Sequence, residues 1–127
     1  MKIEHVALFC ESQEKSDRFY GDLLGLKKTG MKSVPADLMN QIFGIRTAYT
    51  ICNYTTDTCY LEIFIGSRPF SYPIGIEHLC LNVGKRKPFL EKCRHLGVKI
   101  LQIPKPDGTD LIFITDFDGN RFEIKGD

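Results

Sequence analysis

Short stretches of this chain alternate apolar and polar side chains with a period of two, and others repeat their apolar residues at helical spacing. The alternating stretches predict strands at 3–10, 26–32, 47–54, 59–65, 76–83, 98–103, 111–115 and 121–125. In the first, Val6 and Leu8 oppose His5, Ala7 and Phe9. In 59–65, Leu61, Ile63 and Ile65 oppose Tyr60, Glu62 and Phe64. In 76–83, Leu79, Leu81 and Val83 oppose His78, Cys80 and Asn82, and in the last strand Phe122 and Ile124 oppose Glu123. A helix is expected over 13–24, with Phe19, Tyr20, Leu23 and Leu24 on one stripe and Gly25 as its stop. Another starts near Lys87, tolerates Pro88 in its first turn, carries Phe89, Leu90, Cys93 and Leu96, and stops at Gly97. The stretch 34–46 holds a short amphipathic piece, Asp37 to Phe43, an insertion placed to fold over a site as a lid.

These elements form a repeat. Ile3-Glu4-His5-Val6 returns as Ile76-Glu77-His78-Leu79, and Leu24-Gly25-Leu26 returns as Leu96-Gly97-Val98 after nearly the same interval. Each copy runs strand, helix, then three strands. A repeat of this kind sets the architecture. The expected fold is α+β: a single domain over 1–127, made of two βαβββ modules, 1–66 and 76–127, joined by the linker 67–75 with Pro69 and Pro73.

Composition removes several functions from consideration. With 127 residues, 43% hydrophobic and 26% charged, the chain is an ordinary globular protein with enough length to bury a core. Its net charge is +1 with no block of like charge, so neither nucleic acid nor an anionic membrane surface is an expected partner. No apolar run approaches the length of a membrane span, and no basic segment followed by an apolar run opens the chain. The five cysteines, Cys10, Cys52, Cys59, Cys80 and Cys93, are odd in number and form no Cys-x-x-Cys pair. They read as buried structural thiols in a protein of the reducing cytoplasm.

The candidate chemistry lies on four strands. The face opposite the aliphatic one carries His5, Glu62, His78 and Glu123, a His on the first strand and a Glu on the last strand of each module. Taken singly, each reads as an ordinary strand residue, and Glu123 between Arg121 and Lys125 reads as part of a charged outer face. Their matched places in the two repeats reverse that reading. Two-fold pseudo-symmetry would gather all four on the concave surface where the sheets face each other. Buried carboxylates without partners are costly and repel one another. One divalent cation removes both difficulties, and nitrogen and oxygen donors without sulfur suit Zn, Ni, Co, Mn or Fe(II). His95, in the last helical turn before Gly97, reads as structural.

On these residues the chain resembles the vicinal oxygen chelate superfamily, which includes glyoxalase I, methylmalonyl-CoA epimerase, extradiol dioxygenases and the fosfomycin and bleomycin resistance proteins. The resemblance is carried by Ile3 to Leu8, by Phe19-Tyr20-Gly21-Asp22-Leu23-Leu24-Gly25-Leu26, by Ile76-Glu77-His78-Leu79, and by Asp116-Phe117-Asp118-Gly119-Asn120 running into Arg121-Phe122-Glu123-Ile124. Phe117 stands where the family usually has Pro. The resemblance implies a glyoxalase-like cleft of mixed β-sheet, one divalent metal per site, with Zn or Ni ahead of Co, Mn or Fe, and a homodimer acting on a small molecule. His5, Glu62, His78 and Glu123 match the glyoxalase I metal set. That match implies a lyase or isomerase of the glyoxalase I type, working by proton transfer through a metal-stabilised enediolate, with Glu123 as first choice of base and Glu62 as second. An epimerase, a ring-cleaving dioxygenase and a metal-free binding or resistance protein are the alternatives. Phe9, Tyr60 and Phe64 would line the cavity of a binder.

Overall fold

The computed structural model describes residues 3–69 and 77–127. The chain forms two compact units, residues 1–73 and 74–127. The expected linker 67–75 lies outside the described residues from 70 onwards, as does Ile76 of the second Ile-Glu-His.

In the first unit, β1 (Val6–Cys10) leads into α1 (Gln13–Ser16), which runs on without a break as a π-helical segment, Asp17–Leu23. There follow β2 (Lys27–Val34), α2 (Ala36–Phe43), β3 (Tyr49–Thr55) and β4 (Tyr60–Ile65). The four strands form one sheet in the order β1-β4-β3-β2, with β1 parallel to β4 and the other pairs antiparallel. The second unit repeats the plan: β5 (Leu79–Asn82), α3 (Arg86–His95), β6 (Lys99–Pro104), β7 (Asp110–Thr115) and β8 (Arg121–Lys125), in the order β5-β8-β7-β6. The fold is α+β, with a mixed four-stranded sheet in each βαβββ half.

Two expectations shift at their edges. The first strand begins at Val6 and the fifth at Leu79, so His5 and His78 stand just before their strands rather than within them. The ladder explains this, since its first paired residues are Val6 with Leu61 and Leu79 with Phe122. The helix expected over 13–24 changes its winding, and the N–H of Leu24 reaches back five residues to the carbonyl of Phe19. This wider turn sets Phe19, Tyr20 and Leu23 together against the sheet, all of them buried.

Each helix closes at a glycine in the left-handed region, Gly25 (φ 70), Gly44 (φ 69) and Gly97 (φ 72). At the end of α3 the N–H of Gly97 donates to the carbonyl of Arg94 and that of Val98 to the carbonyl of Cys93, the paired bonds of a Schellman stop. The chain then turns directly into the next strand.

The face of the first sheet under α1 buries Cys10, Cys52, Tyr54, Leu61 and Ile63. The face of the second under α3 buries Ile112, Ile114, Phe122 and Ile124 with Leu90 and Cys93. Burying side chains of this size contributes about 1.5–3 kcal/mol each. That fixes which face of every strand is turned away from the helices, and hence where the four candidate ligands lie. The thiols depart from expectation in part. Cys10, Cys52 and Cys93 are buried, but Cys59 is half-buried and Cys80 is exposed. Alternation puts Cys80 on the side of the sheet away from α3, where the described residues do not cover it.

Candidate metal centre

Strand pairing builds the site in two halves. In the first unit Glu62 of β4 is flanked by Ala7 of β1 and Asn53 of β3. His5, two residues before Ala7, shares their face. Its Nε2 lies 3.5 Å from Oε2 of Glu62. In the second unit Glu123 of β8 is flanked by Cys80 of β5 and Phe113 of β7. His78, two residues before Cys80, brings its Nε2 to 3.7 Å from Oε2 of Glu123. The same atoms meet in the same topological place in both repeats.

These separations are longer than an N–H···O hydrogen bond, which spans about 2.7–3.2 Å. They match the bite of two ligands on one cation: bonds of about 2.1 Å at a tetrahedral angle put a nitrogen and an oxygen about 3.4 Å apart. The carboxylates are well covered, with side-chain exposures of 14% for Glu62 and 16% for Glu123, while the imidazoles are 45% and 39% exposed. Each imidazole stands edge-on to an aromatic ring of its own sheet, His5 to Tyr60 with centroids 6.0 Å apart and His78 to Phe113 at 5.3 Å. The donor chemistry of each pair therefore fits a divalent metal. Among the described residues, no group of three or more His, Cys, Asp or Glu side chains is gathered closely enough to hold an ion. The structure thus brings His5 to Glu62 and His78 to Glu123, as two separate pairs.

The pairs differ in their surroundings. Nζ of Lys125 lies 2.6 Å from Oε1 of Glu123. This contact, helped by the positive charge and by the Cys80 thiol, holds the Glu123 carboxyl below its usual range, and in return Glu123 holds the Lys125 ammonium above its own. In the first unit the neighbour of the glutamate is instead Asn53, whose buried Oδ1 has no hydrogen-bond partner among the described residues. A buried acceptor left unpaired costs about 1–3 kcal/mol.

The turn before β8 aims Glu123. Oδ1 of Asp116 accepts from the N–H groups of Asp118 and Asn120, both at 2.9 Å, and Oδ2 accepts from Nδ2 of Asn120 at 2.6 Å. Phe117 takes no part in these bonds, so its substitution for the usual Pro leaves the turn intact. The 34–46 insertion becomes α2. It lies over the far end of the first sheet's metal face, where Met39 packs with Phe9, Val34, Tyr49 and Ile51, and Phe43 meets Phe64 with ring centroids 5.6 Å apart.

Sequence reasoning passed over Asn53 and Phe113, and took Lys125 only as part of a charged outer face. The signal for Lys125 was present, since a residue two places from Glu123 shares its face. Asn53 and Phe113 needed the strand register, which the sequence does not supply. A hollow of about 390 Å³ under α3, lined in part by Arg86, Arg94, Gln102 and Asp110, shares no residue with the site and opens on the other face of the sheet.

Residues 2–124 match the family model described as the glyoxalase/bleomycin resistance protein/dioxygenase superfamily. Among solved structures, the chain is similar to a glyoxalase family protein from Enterococcus faecalis, with a TM-score of 0.72 and 21% identity over 97% of this chain and 95% of that one. It is also similar to a mutant of the fosfomycin resistance protein FosX from Listeria monocytogenes, in complex with Mn(II) and 1S,2S-dihydroxypropylphosphonic acid, with a TM-score of 0.71 and 15% identity over 99% and 90% of the two chains. FosX from Mesorhizobium loti gives a TM-score of 0.69 and 13% identity over 99% and 91%. At these identities the likeness is one of fold. No curated protein matches the chain. No helix of the described residues is long and apolar enough to cross a membrane.

Proposed function

Because the chain belongs to the glyoxalase/bleomycin resistance protein/dioxygenase superfamily, we propose that it is a metal-dependent lyase or isomerase of the glyoxalase I type, in which His5, Glu62, His78 and Glu123 together hold one divalent cation. Membership of the superfamily supports the coarser reading, a metal-dependent enzyme acting on a small molecule. One observation supports the finer: both repeats offer a His Nε2 and a Glu Oε2 at a chelating separation. Two imidazoles and two carboxylates supply four donors of neutral total charge once a dication is bound, the set that Zn or Ni accepts and that Co, Mn or Fe also accept.

A bound cation supplies Lewis-acid polarisation of two neighbouring substrate oxygens. The chain's own residues do the rest. His5 and His78 would hold the cation through Nε2 while Tyr60 and Phe113 steady their rings. The proton of the adjacent C–H passes to a carboxylate. Both glutamates are candidates, and their surroundings rank them. Lys125 depresses the basicity of Glu123, which suits a ligand. Glu62, beside the neutral Asn53, is then preferred as the base, which reverses the order expected from the sequence.

The test is metal quantification on protein purified without added metal, followed by a panel of 2-oxoaldehyde–thiol adducts, acyl-CoA epimers, a catechol with an oxygen electrode, and fosfomycin. We expect one metal per four ligands, turnover of an adduct or epimer, and proton exchange at the substrate carbon that Glu62→Gln abolishes. Exchange that survives in both Glu62→Gln and Glu123→Gln refutes the mechanism. Oxygen uptake or fosfomycin turnover replaces the reaction while keeping the metal.

A further inference from the structure

The two metal faces are built from equivalent positions but lined differently. Across the first sheet, the row through Glu62 continues to Asn53 and Gly30. Across the second, the row through Glu123 continues to Phe113 and Leu101. The next residues along the same face, Leu111 and Ile103, pair with each other. The second unit therefore carries an unbroken apolar strip beside its metal pair, and the first carries an amide and a residue without a side chain.

Among the described residues the outer edge of the strip is left open, while Leu111 and Phe113 are half-buried. Leu101 is 53% and Ile103 43% exposed, where edge strands usually present polar or charged groups. In the first unit the insertion between β2 and β3 folds as α2, and Met39 and Phe43 cover the apolar end of that face. In the second unit the connection between β6 and β7 is a tight turn, closed by the N–H of Lys105 donating to the carbonyl of Thr109 at 2.8 Å. It carries no helix to do the same work. The strip is continuous with the candidate ligands, since the Phe113 ring meets the His78 imidazole and stands across the ladder from Glu123. Lys125, the cation beside that carboxylate, is already paired with it.

We propose that the substrate is amphipathic, with two neighbouring oxygens at the metal beside His78 and Glu123 and an apolar, non-chelating end laid on Phe113, Leu111, Leu101 and Ile103. A substrate ending in a phosphonate or another compact anion does not fit that strip. This rests on the metal reading above and adds the chemical class of what the site takes.

The test uses the full chain loaded with Ni or Zn and titrated by calorimetry with two hydroxamic acids. Both chelate through neighbouring oxygens, and they differ only in the end they present. Octanohydroxamic acid, whose chain can span the two strand spacings of about 4.8 Å each from Glu123 to Leu101, is expected to bind on the order of tenfold tighter than acetohydroxamic acid, from the extra apolar surface it buries. In the Leu101→Ser, Ile103→Ser double variant the ratio falls to roughly twofold, while the affinity for acetohydroxamic acid is unchanged. Both positions are exposed, so the variant keeps its core. A ratio near one in the wild type, or the same ratio in the variant, overturns the inference. So does a variant that loses a dimer seen in the wild type while keeping the ratio, since a second copy and not the substrate would then cover the strip. Failure of the protein to take up metal at all is a different result, and it ends the function proposed above.

Discussion

Glu123 is placed by one residue and tuned by another, and the two effects are separable. Asp116 accepts three hydrogen bonds within its own turn and is buried. Asp116→Ala leaves those donors unpaired, which should cost about 3 kcal/mol, read as a lower urea midpoint. It should also weaken metal binding, because the turn that starts β8 loses its frame. Lys125 acts on charge instead. It holds the Glu123 carboxyl below its usual range, so Lys125→Met should let that pKa rise. The carboxylate then takes up its proton at a higher pH as the solution is acidified. Metal affinity measured across a pH series should begin to fall at a higher pH in the variant, with little change in stability. An unmoved acid limb would mean that Glu123 is not a ligand.

At the scale of elements, most of the fold was legible because each strand half-buries itself and alternation records which half. Leu61 and Ile63 are buried and Glu62 between them is turned the other way, as their order predicts. The helix stops were legible too, because only glycine enters the left-handed region without strain. Gly25→Ala and Gly97→Ala should each cost roughly 1 kcal/mol by thermal or urea denaturation. The π-helical winding at Asp17–Leu23 was not legible, since it depends on which carbonyl each N–H finds. Nor was the exposure of Cys80, because alternation assigns a face without saying what lies over it. The candidate site was half legible. The four ligand positions stood out through the repeat, whereas Asn53 and Phe113 join them through register alone. The amphipathic insertion gave α2 but not its two roles. Met39 is 2% exposed and Ile42 58%. Met39→Ala should destabilise by about 2–4 kcal/mol, and Ile42→Ser by less than about 0.5 kcal/mol, both from equilibrium unfolding.

For the whole molecule, the decisive quantity is how many metal ions the two repeats hold between them. A His-Glu pair alone offers two donors, too few for a tightly held transition metal, whereas two pairs offer the four that such sites use. If the pairs act together, the chain binds one equivalent. His5→Ala and His78→Ala should then each lower the affinity by on the order of a hundredfold, and the double variant should be little worse than either, because the first loss already breaks the set. If the pairs act separately, two equivalents bind weakly and each substitution removes one without touching the other. Removing the metal adds a second readout. A ligand present at about a hundred times its dissociation constant stabilises the folded state by about 2.7 kcal/mol, so a chelator should lower the melting temperature on the order of 10 °C for a chain of this size. His5→Ala and His78→Ala should melt at that lower temperature with or without chelator. A variant that still responds to chelator as the wild type does would show that its histidine lies outside the metal's coordination, and the pairing of the two repeats around one ion would be lost with it.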